Sequence, residues 1–284
     1  MAPVIAVIAP GAMGAAVGKR LVGHGVKVLT SLTGRSSATA KRASDAGMID
    51  AGDAEIASAD FILAILPPGD ALPLARRFAS ALAASDSKPV YVDCNAINPA
   101  TVERIAAVIA PTGCAFVDAG ILGPPPQGQG AGPRFYISGE AAPRAAALRQ
   151  YGLEVHVLEG SLGAASALKM SYAGITKGTQ PIGAAMILAA MRAGSADALV
   201  AELEFSQSEM LAQFRQQLPK MPAKAYRWGA EMQEIAGFVG DDPAARALYD
   251  GAANFYRRIA EDFQSAKAKA SAIEQFLGKA DKTR

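Results

Sequence analysis

The order of apolar runs predicts an α/β protein: a doubly wound, mostly parallel sheet over residues 1–160, then an all-helical domain over 161–284. Three observations predict it. The chain opens on a buried-type strand, a glycine turn, a helix and a second strand. Short apolar runs then alternate with helical segments as far as Gly160. Beyond Gly160 the strand signals stop, and segments rich in Ala, Met, Glu and Gln take over.

The first strand is Val4-Ile5-Ala6-Val7-Ile8. The turn Pro10-Gly11-Ala12-Met13-Gly14 follows, then a helix reaching Gly25 and a second strand from Val26 to Leu32. This Rossmann-type unit lays a dinucleotide pyrophosphate against the positive end of a helix. Gly11 is expected to allow the tight turn, and Gly14 the close approach of backbone or phosphate. The usual fingerprint has three glycines, and its first position is Ala9 here. An NAD-selective site places an acid about 20 residues past the glycines to bind the ribose 2′-hydroxyl. No acid stands between Val26 and Ser44; Thr33, Gly34, Arg35 and Ser36 end the strand instead, with Lys41 and Arg42 beyond. A guanidinium suits a phosphate dianion, so NADP(H) is favoured over NAD(H).

Further strands are expected at Ala59–Leu66, Pro89–Asp93, Cys114–Asp118, Phe135–Gly139 and Leu153–Leu158, with a helix starting near Pro99. Ligands of such sheets bind outside the carboxyl ends of the strands. That rule selects Leu66-Pro67-Pro68, Asp93-Cys94-Asn95 and Asp118-Ala119-Gly120. The Asn95 amide suits a nicotinamide carboxamide, or it is simply a turn former. The loop from Gly123 to Pro133 is stiffened by prolines and loosened by glycines. It reads either as a surface connection or as part of the substrate pocket.

Composition excludes several classes. A formal charge of +2 gives no reason to expect nucleic acid or an anionic membrane. Cys94 and Cys114 stand in apolar runs, which implies buried thiols in a reducing compartment. His24 and His156 lie far apart, so no metal is expected. The apolar start is too short for a signal peptide, and charged residues interrupt the segment from Gly160 to Gly194. A cytoplasmic enzyme that neither spans nor binds a membrane is the expectation.

In the helical part, Ser161 is expected to cap a long helix running to about Met191, with later breaks near Gly194, Pro219–Pro222 and Gly240–Pro243. Ser166, Lys169, Tyr172, Ala173, Thr176 and Gln180 share one face of it by spacing. Lys169 has two readings. It snorkels its ammonium into water, or it serves as a proton donor in a cleft, its pKa lowered by burial.

Five motifs in order resemble the β-hydroxyacid dehydrogenase superfamily, which includes 3-hydroxyisobutyrate and 6-phosphogluconate dehydrogenases. A Gly-x-Gly-x-Met-Gly turn is matched by Ala9-Pro10-Gly11-Ala12-Met13-Gly14, and a Leu-Pro strand end by Leu66-Pro67. The Asp-x-Ser-Thr-x-x-Pro segment appears as Asp93-Cys94-Asn95-Ala96-Ile97-Asn98-Pro99. The substrate motif Asp-Ala-Pro-Val-Ser-Gly-Gly appears as Asp118-Ala119-Gly120-Ile121-Leu122-Gly123-Pro124. A Gly-x-x-Gly helix start carrying the catalytic lysine appears as Gly160-Ser161-Leu162-Gly163, then Lys169. The resemblance implies that Lys169 is the general acid and base, and that a helical C-terminal half completes the site and forms a homodimer.

Departures narrow the substrate. The family's carboxylate-holding serine is Leu122 here, its second motif glycine is Pro124, and the asparagine one turn after the lysine is Ala173, beside Tyr172. These losses favour a bulkier or less polar carbonyl than a small hydroxy-carboxylate. The segment Tyr226–Glu234 resembles an Arg-Trp-x-x-Glu-Met signature of a less characterised C-terminal domain. Arg227 or Glu231 is a candidate for replacing the lost polar contacts; the alternative is an ordinary amphipathic helix with Trp228 and Met232 in its core. The expected activity is NADP-dependent interconversion of a small-molecule carbonyl and an alcohol. Two rivals stand beside it: NADPH-dependent imine reduction, against which Lys169 counts, and a non-catalytic NADP(H)-binding sensor or scaffold.

Overall fold

The computed structural model describes residues 2–128, 130 and 132–279. Its sheet elements run in chain order as β1 (Val4–Ile8), α1 (Ala12–Gly23), β2 (Lys27–Thr30), α2 (Ser37–Asp45), β3 (Ile49–Asp50), α3 (Asp53–Ile56) and β4 (Phe61–Ala64). They continue as α4 (Ala71–Ala84), β5 (Val90–Asp93), α5 (Pro99–Ile109), β6 (Ala115–Leu122), β7 (Arg134–Ser138), α6 (Ala142–Ala145) and β8 (Glu154–Val157). The strands form one eight-stranded sheet in the order β3-β2-β1-β4-β5-β6-β7-β8. Every pairing is parallel except β6 with β7, so the sheet is doubly wound and mostly parallel.

Side chains alternate across each strand, so both faces must be covered. Ile5 and Val7 of β1 enter one core with Val28 and Val92; Ala6 and Ile8 enter the other with Ile62 and Phe78. Burial on both faces is why the parallel strands read as unbroken apolar runs rather than alternating ones. Local chemistry sets the helix starts. Asn98 accepts the Thr101 N–H at 2.9 Å and Pro99 opens α5, as expected near that proline. Cys94 and Cys114 are buried free thiols.

Some elements differ from expectation. The two-residue β3 and the four-residue α3 carry too little periodic signal to be read from sequence. The expected run Val26–Leu32 pairs only over Lys27–Thr30. More consequentially, β6 does not end at Asp118. It continues through Gly120, Ile121 and Leu122, which pair antiparallel with Tyr136, Phe135 and Arg134. Those three residues are therefore strand, not loop. Antiparallel pairing with β7 gives hydrogen-bond partners to a stretch that overshoots its parallel neighbour, which ends at Asp93, the register partner of Asp118.

The remaining helices are α7 (Ala164–Ala193), α8 (Ala196–Ser206), α9 (Ser208–Gln217), α10 (Ala225–Phe238), α11 (Pro243–Gln264) and α12 (Ala268–Lys279). No described helix is long and apolar enough to cross a membrane. The chain forms two compact units, residues 1–170 and 171–284. The division falls inside α7, later than the change in composition at Gly160, because the start of α7 is bonded to β6 and β7. Breaks occur at Gly194, around Pro219–Pro222 and before Pro243, as expected; the α8–α9 and α11–α12 junctions carry no comparable local signal.

The second unit answers a proline in its longest helix. Pro181 removes the N–H that would bond the Lys177 carbonyl four residues earlier. The Tyr256 hydroxyl, from the buried face of α11, donates to that carbonyl instead at 2.6 Å. Asp242 caps α11 through the N–H groups of Ala244 and Ala245. The buried Asp262 accepts from Lys269 and Ala270 and so starts α12.

Candidate active site

The glycine turn sits at the carboxyl end of β1. Gly11 is the N-cap of α1 and offers no side chain to the helix's first N–H groups. Its φ of −70° demands no glycine, so the expected reason for it is corrected. A Cβ there would meet no protein atom within 4 Å, so Gly11 leaves open space above the helix start. Gly14 is required by contact: a Cβ would lie 2.0 Å from the Ala9 carbonyl oxygen. Close packing of α1 on β1 depends on it. Pro10 is buried, Met13 packs partly on the core and Ala12 is exposed.

Thr33, Gly34, Arg35 and Ser36 are exposed at the carboxyl end of β2. Ser36 caps α2, its hydroxyl accepting from Thr39 N at 3.3 Å. From α2, Arg42 reaches back and donates through Nε to the Pro10 carbonyl at 3.4 Å. The Arg42 guanidinium thus stands beside the glycine turn. The fold also supplies an acid that the scan between Val26 and Ser44 missed. Asp50 on β3 accepts from Leu32 N at 2.9 Å.

Leu66, Pro67 and Pro68 follow β4, and Asn95 follows β5. Asn95 is buried: Oδ1 accepts from Leu66 N and Nδ2 donates to Asp93 Oδ2 at 3.0 Å. Its amide is thus engaged at both ends, tying the two strand ends together. Asp93 also accepts Asn95 N at 3.0 Å. Burial, aided by the nearby Asp118 charge and opposed by the Asn95 bonds, pushes Asp93 up to about 7.

Asp118 on β6 is the polar centre of the start of α7. Its Oδ1 accepts the Ser166 hydroxyl at 2.6 Å, and its Oδ2 accepts Ser166 N at 2.9 Å and the Ser138 hydroxyl at 3.0 Å. Burial raises the Asp118 carboxyl above its ordinary range, against these bonds. Gly120 lets the helix in: a Cβ there would lie 2.7 Å from the Ala165 carbonyl oxygen and 3.2 Å from Lys169 Cβ. Lys169 is half-buried, and its Nζ donates to the Ile121 carbonyl at 2.6 Å. Ile121 is near the carboxyl end of β6, the edge that also carries the ends of β1, β4 and β5. Ile121 is buried and Leu122 half-buried. In the loop after β6, Arg20 of α1 donates to the carbonyls of Gly128 and Gly130 at 3.1 and 2.8 Å. The expected pocket role of Gly123–Pro133 falls partly on Gln129 and Ala131, which lie outside the described residues.

In the helical unit Tyr172 is exposed, Ala173 is buried and Thr176 is half-buried, its hydroxyl turned back to the Tyr172 carbonyl. The stripe expected from spacing is therefore not uniformly buried. Glu231 pairs with Lys177, whose Nζ also lies 5.4 Å from the Trp228 ring centre. Trp228 packs edge-on against Tyr256 at 5.4 Å, and Met232 is fully buried. Trp228 and Glu231 thus belong to an internal cluster, while Arg227 is exposed. Sequence reasoning missed Lys177 and Tyr256, which no spacing rule connects to this cluster.

A parallel sheet with a glycine turn open above a helix start is the arrangement that binds a dinucleotide. Residues 4–150 match the NAD binding domain of 6-phosphogluconate dehydrogenase, and residues 190–259 match DUF1932, a domain of unknown function. The chain belongs to the β-hydroxyacid dehydrogenase superfamily. One similar solved structure is a conserved protein of unknown function, described as structurally similar to 3-hydroxyacid dehydrogenases. It is 27% identical, covers 94% of this chain and 98% of its own, and has a TM-score of 0.68. The 3-hydroxyisobutyrate dehydrogenase of Mycobacterium tuberculosis is 20% identical over 97% of this chain and 99% of its own, with a TM-score of 0.66. An imine reductase variant from Myxococcus stipitatus, in complex with NAD+, is 20% identical over 98% and 100%, with a TM-score of 0.57. These last two are likenesses of fold.

Proposed function

We propose that the protein interconverts a carbonyl and an alcohol with NADP(H), and that Lys169 is the general acid and base. The observation that carries this reading is the Lys169 ammonium, held against the Ile121 carbonyl at the sheet edge where such folds bind dinucleotides. A lysine tethered at that edge holds its ammonium in a defined place. The snorkelling reading would leave the ammonium in open water.

The residues present fit the cofactor. The cradle at Gly11 is open where a Cβ would otherwise intrude, and the start of α1 offers its N–H groups to a pyrophosphate. Thr33, Arg35, Ser36 and Arg42 make a cationic, hydroxyl-rich set suited to a 2′-phosphate. A reduced nicotinamide, when bound, supplies the hydride. Lys169 delivers its Nζ proton to the substrate oxygen as negative charge develops there, and takes it back in oxidation. Its ammonium also stabilises that charge. The apolar Leu122 and Ala173 stand where the superfamily carries polar groups, which supports a substrate less polar than a small hydroxy acid. The same two residues favour imine reduction as a second reading, and Lys169 counts against it.

The test is a panel of aldehydes, ketones, hydroxy acids and cyclic imines with NADPH and NADH, run on the wild type and Lys169→Ala. The variant is expected to bind NADPH normally while turnover falls by about 10²- to 10⁴-fold. Undiminished turnover would remove the lysine from the mechanism. Turnover of imines alone would favour the second reading, and cofactor binding without turnover of anything would favour a sensor.

A further inference from the structure

Two cross-links of equal spacing join α7 to β6. Asp118 stands three residues before Ile121 on the strand, and Ser166 stands three residues before Lys169 on the helix. Asp118 holds Ser166 by both its N–H and its hydroxyl, and Ile121 receives the Lys169 ammonium. Positions i and i+3 share a helix face, so fixing Ser166 fixes which face of α7 Lys169 projects from. Ser138 of β7 closes the arrangement. Its hydroxyl donates to Asp118 and accepts the Ala165 N–H at 3.0 Å.

An exposed hydroxyl would satisfy the start of a helix at little cost. Here the acceptor is a carboxyl group fully withdrawn from water, an environment that disfavours its charged form. Donors converge on it from two elements, α7 and β7. Such a site restrains rotation and translation of α7 along β6, beyond merely starting the helix. Gly120 brings the helix backbone close enough for these bonds to form, and it lies between the two anchor residues of the strand.

We propose that Asp118, acting through Ser166, is a positioning residue that sets the register of α7 on β6 and thereby aims the Lys169 ammonium. The inference rests on the reading of Lys169 as the proton donor. It makes the first acid of the substrate motif part of the catalytic geometry without contact to the reacting atoms.

The test compares the wild type with Ser166→Ala, and with Asp118→Asn as a harsher second variant. The first readout needs no substrate: the rate at which an amine-reactive acetyl ester modifies Lys169, measured by peptide mass spectrometry at a temperature where all proteins are folded. The exposed Lys19 serves as the internal reference. Freed of its anchor, Lys169 is expected to react about fivefold faster, the factor of one typical net hydrogen bond. An unchanged ratio in Ser166→Ala overturns the proposal, whether or not Asp118→Asn folds.

The second readout is turnover of the carbonyl probe that the wild type reduces fastest. Ser166→Ala is expected to lower kcat about 10- to 100-fold, as misplacement of a catalytic group does, with KM for NADPH unchanged. On a Lys169→Ala background the same substitution should cost nothing further. Equal losses on both backgrounds would show a merely structural role and overturn the proposal. Full activity of Lys169→Ala alone would instead overturn the reading of the lysine, and with it the catalytic meaning of the clamp.

Discussion

Asp93 and Asp118 are register partners on adjacent parallel strands, both buried, and each anchors a different part of the site. Asp93 holds Asn95 and through it Leu66; Asp118 holds Ser166 and the start of α7. The Asp118 charge raises the affinity of Asp93 for its proton, on top of the larger effect of burial.

A pH dependence of stability follows. The folded chain keeps the Asp93 proton up to about pH 7, whereas the ordinary carboxyl loses it near 3.8. Between those values the folded state binds more protons than the unfolded one, so stability falls as pH rises, and the loss is complete above about 7. The slope from one such group is at most about 1.4 kcal/mol per pH unit. Asp118 contributes with the same sign. Urea midpoints taken from pH 4 to 8 should decline less steeply in Asp93→Asn than in the wild type. Identical slopes would mean that Asp93 titrates as an ordinary aspartate.

Cofactor preference is tested at Arg35. Arg35→Ala is expected to weaken NADPH binding by roughly 10- to 100-fold, the worth of a charge-assisted hydrogen bond, and to leave NADH nearly untouched. Titration of each nucleotide by calorimetry measures both. Equal losses would show that Arg35 does not read the 2′-phosphate, and would turn attention to Arg42 and Asp50.

Tyr256→Phe leaves the Lys177 carbonyl without a donor in a buried setting, at an expected cost of about 1–3 kcal/mol in denaturant unfolding. Pro181→Ala restores a backbone N–H four residues after Lys177. The cost of Tyr256→Phe should therefore shrink on that background. If the two substitutions prove additive, the tyrosine is not standing in for the proline's missing bond.

Self-association is testable at the apolar face of α7. Ile175, Ile182 and Met186 are 68%, 64% and 59% exposed, and with Leu248 they border a groove of about 510 Å³ between α7 and α11. Exposed apolar surface of this kind marks an interaction site. Light scattering after gel filtration is expected to give twice the chain mass, and Ile182→Glu the monomer mass. A monomeric wild type would remove the homodimer.

The longer strands were legible because burial on both faces writes itself as apolar runs, and the start of α5 and the breaks after α7 and before α11 because Asn98, Gly194 and Pro243 punctuate the chain. The glycine turn was legible for Gly14, where backbone contact forbids a Cβ, but Gly11 was understood only from the open space above it. Nothing local to Asn95 announces that its amide joins Leu66 to Asp93. The expected strand Cys114–Asp118 stopped short of Leu122, since nothing local announces that a strand will outrun one neighbour and pair with another.

The sequence by itself determined the sheet-then-helix order, the dinucleotide turn and the presence of one lysine at the right interval. Those are properties of periodicity and of residue type, which neighbours along the chain express. Only the tertiary structure decided that Lys169 meets the Ile121 carbonyl, that Asp118 holds the helix carrying it, and that Asp50 stands beside Leu32. Each of these pairs is separated by many residues, and the contact exists only once packing has closed the chain between them.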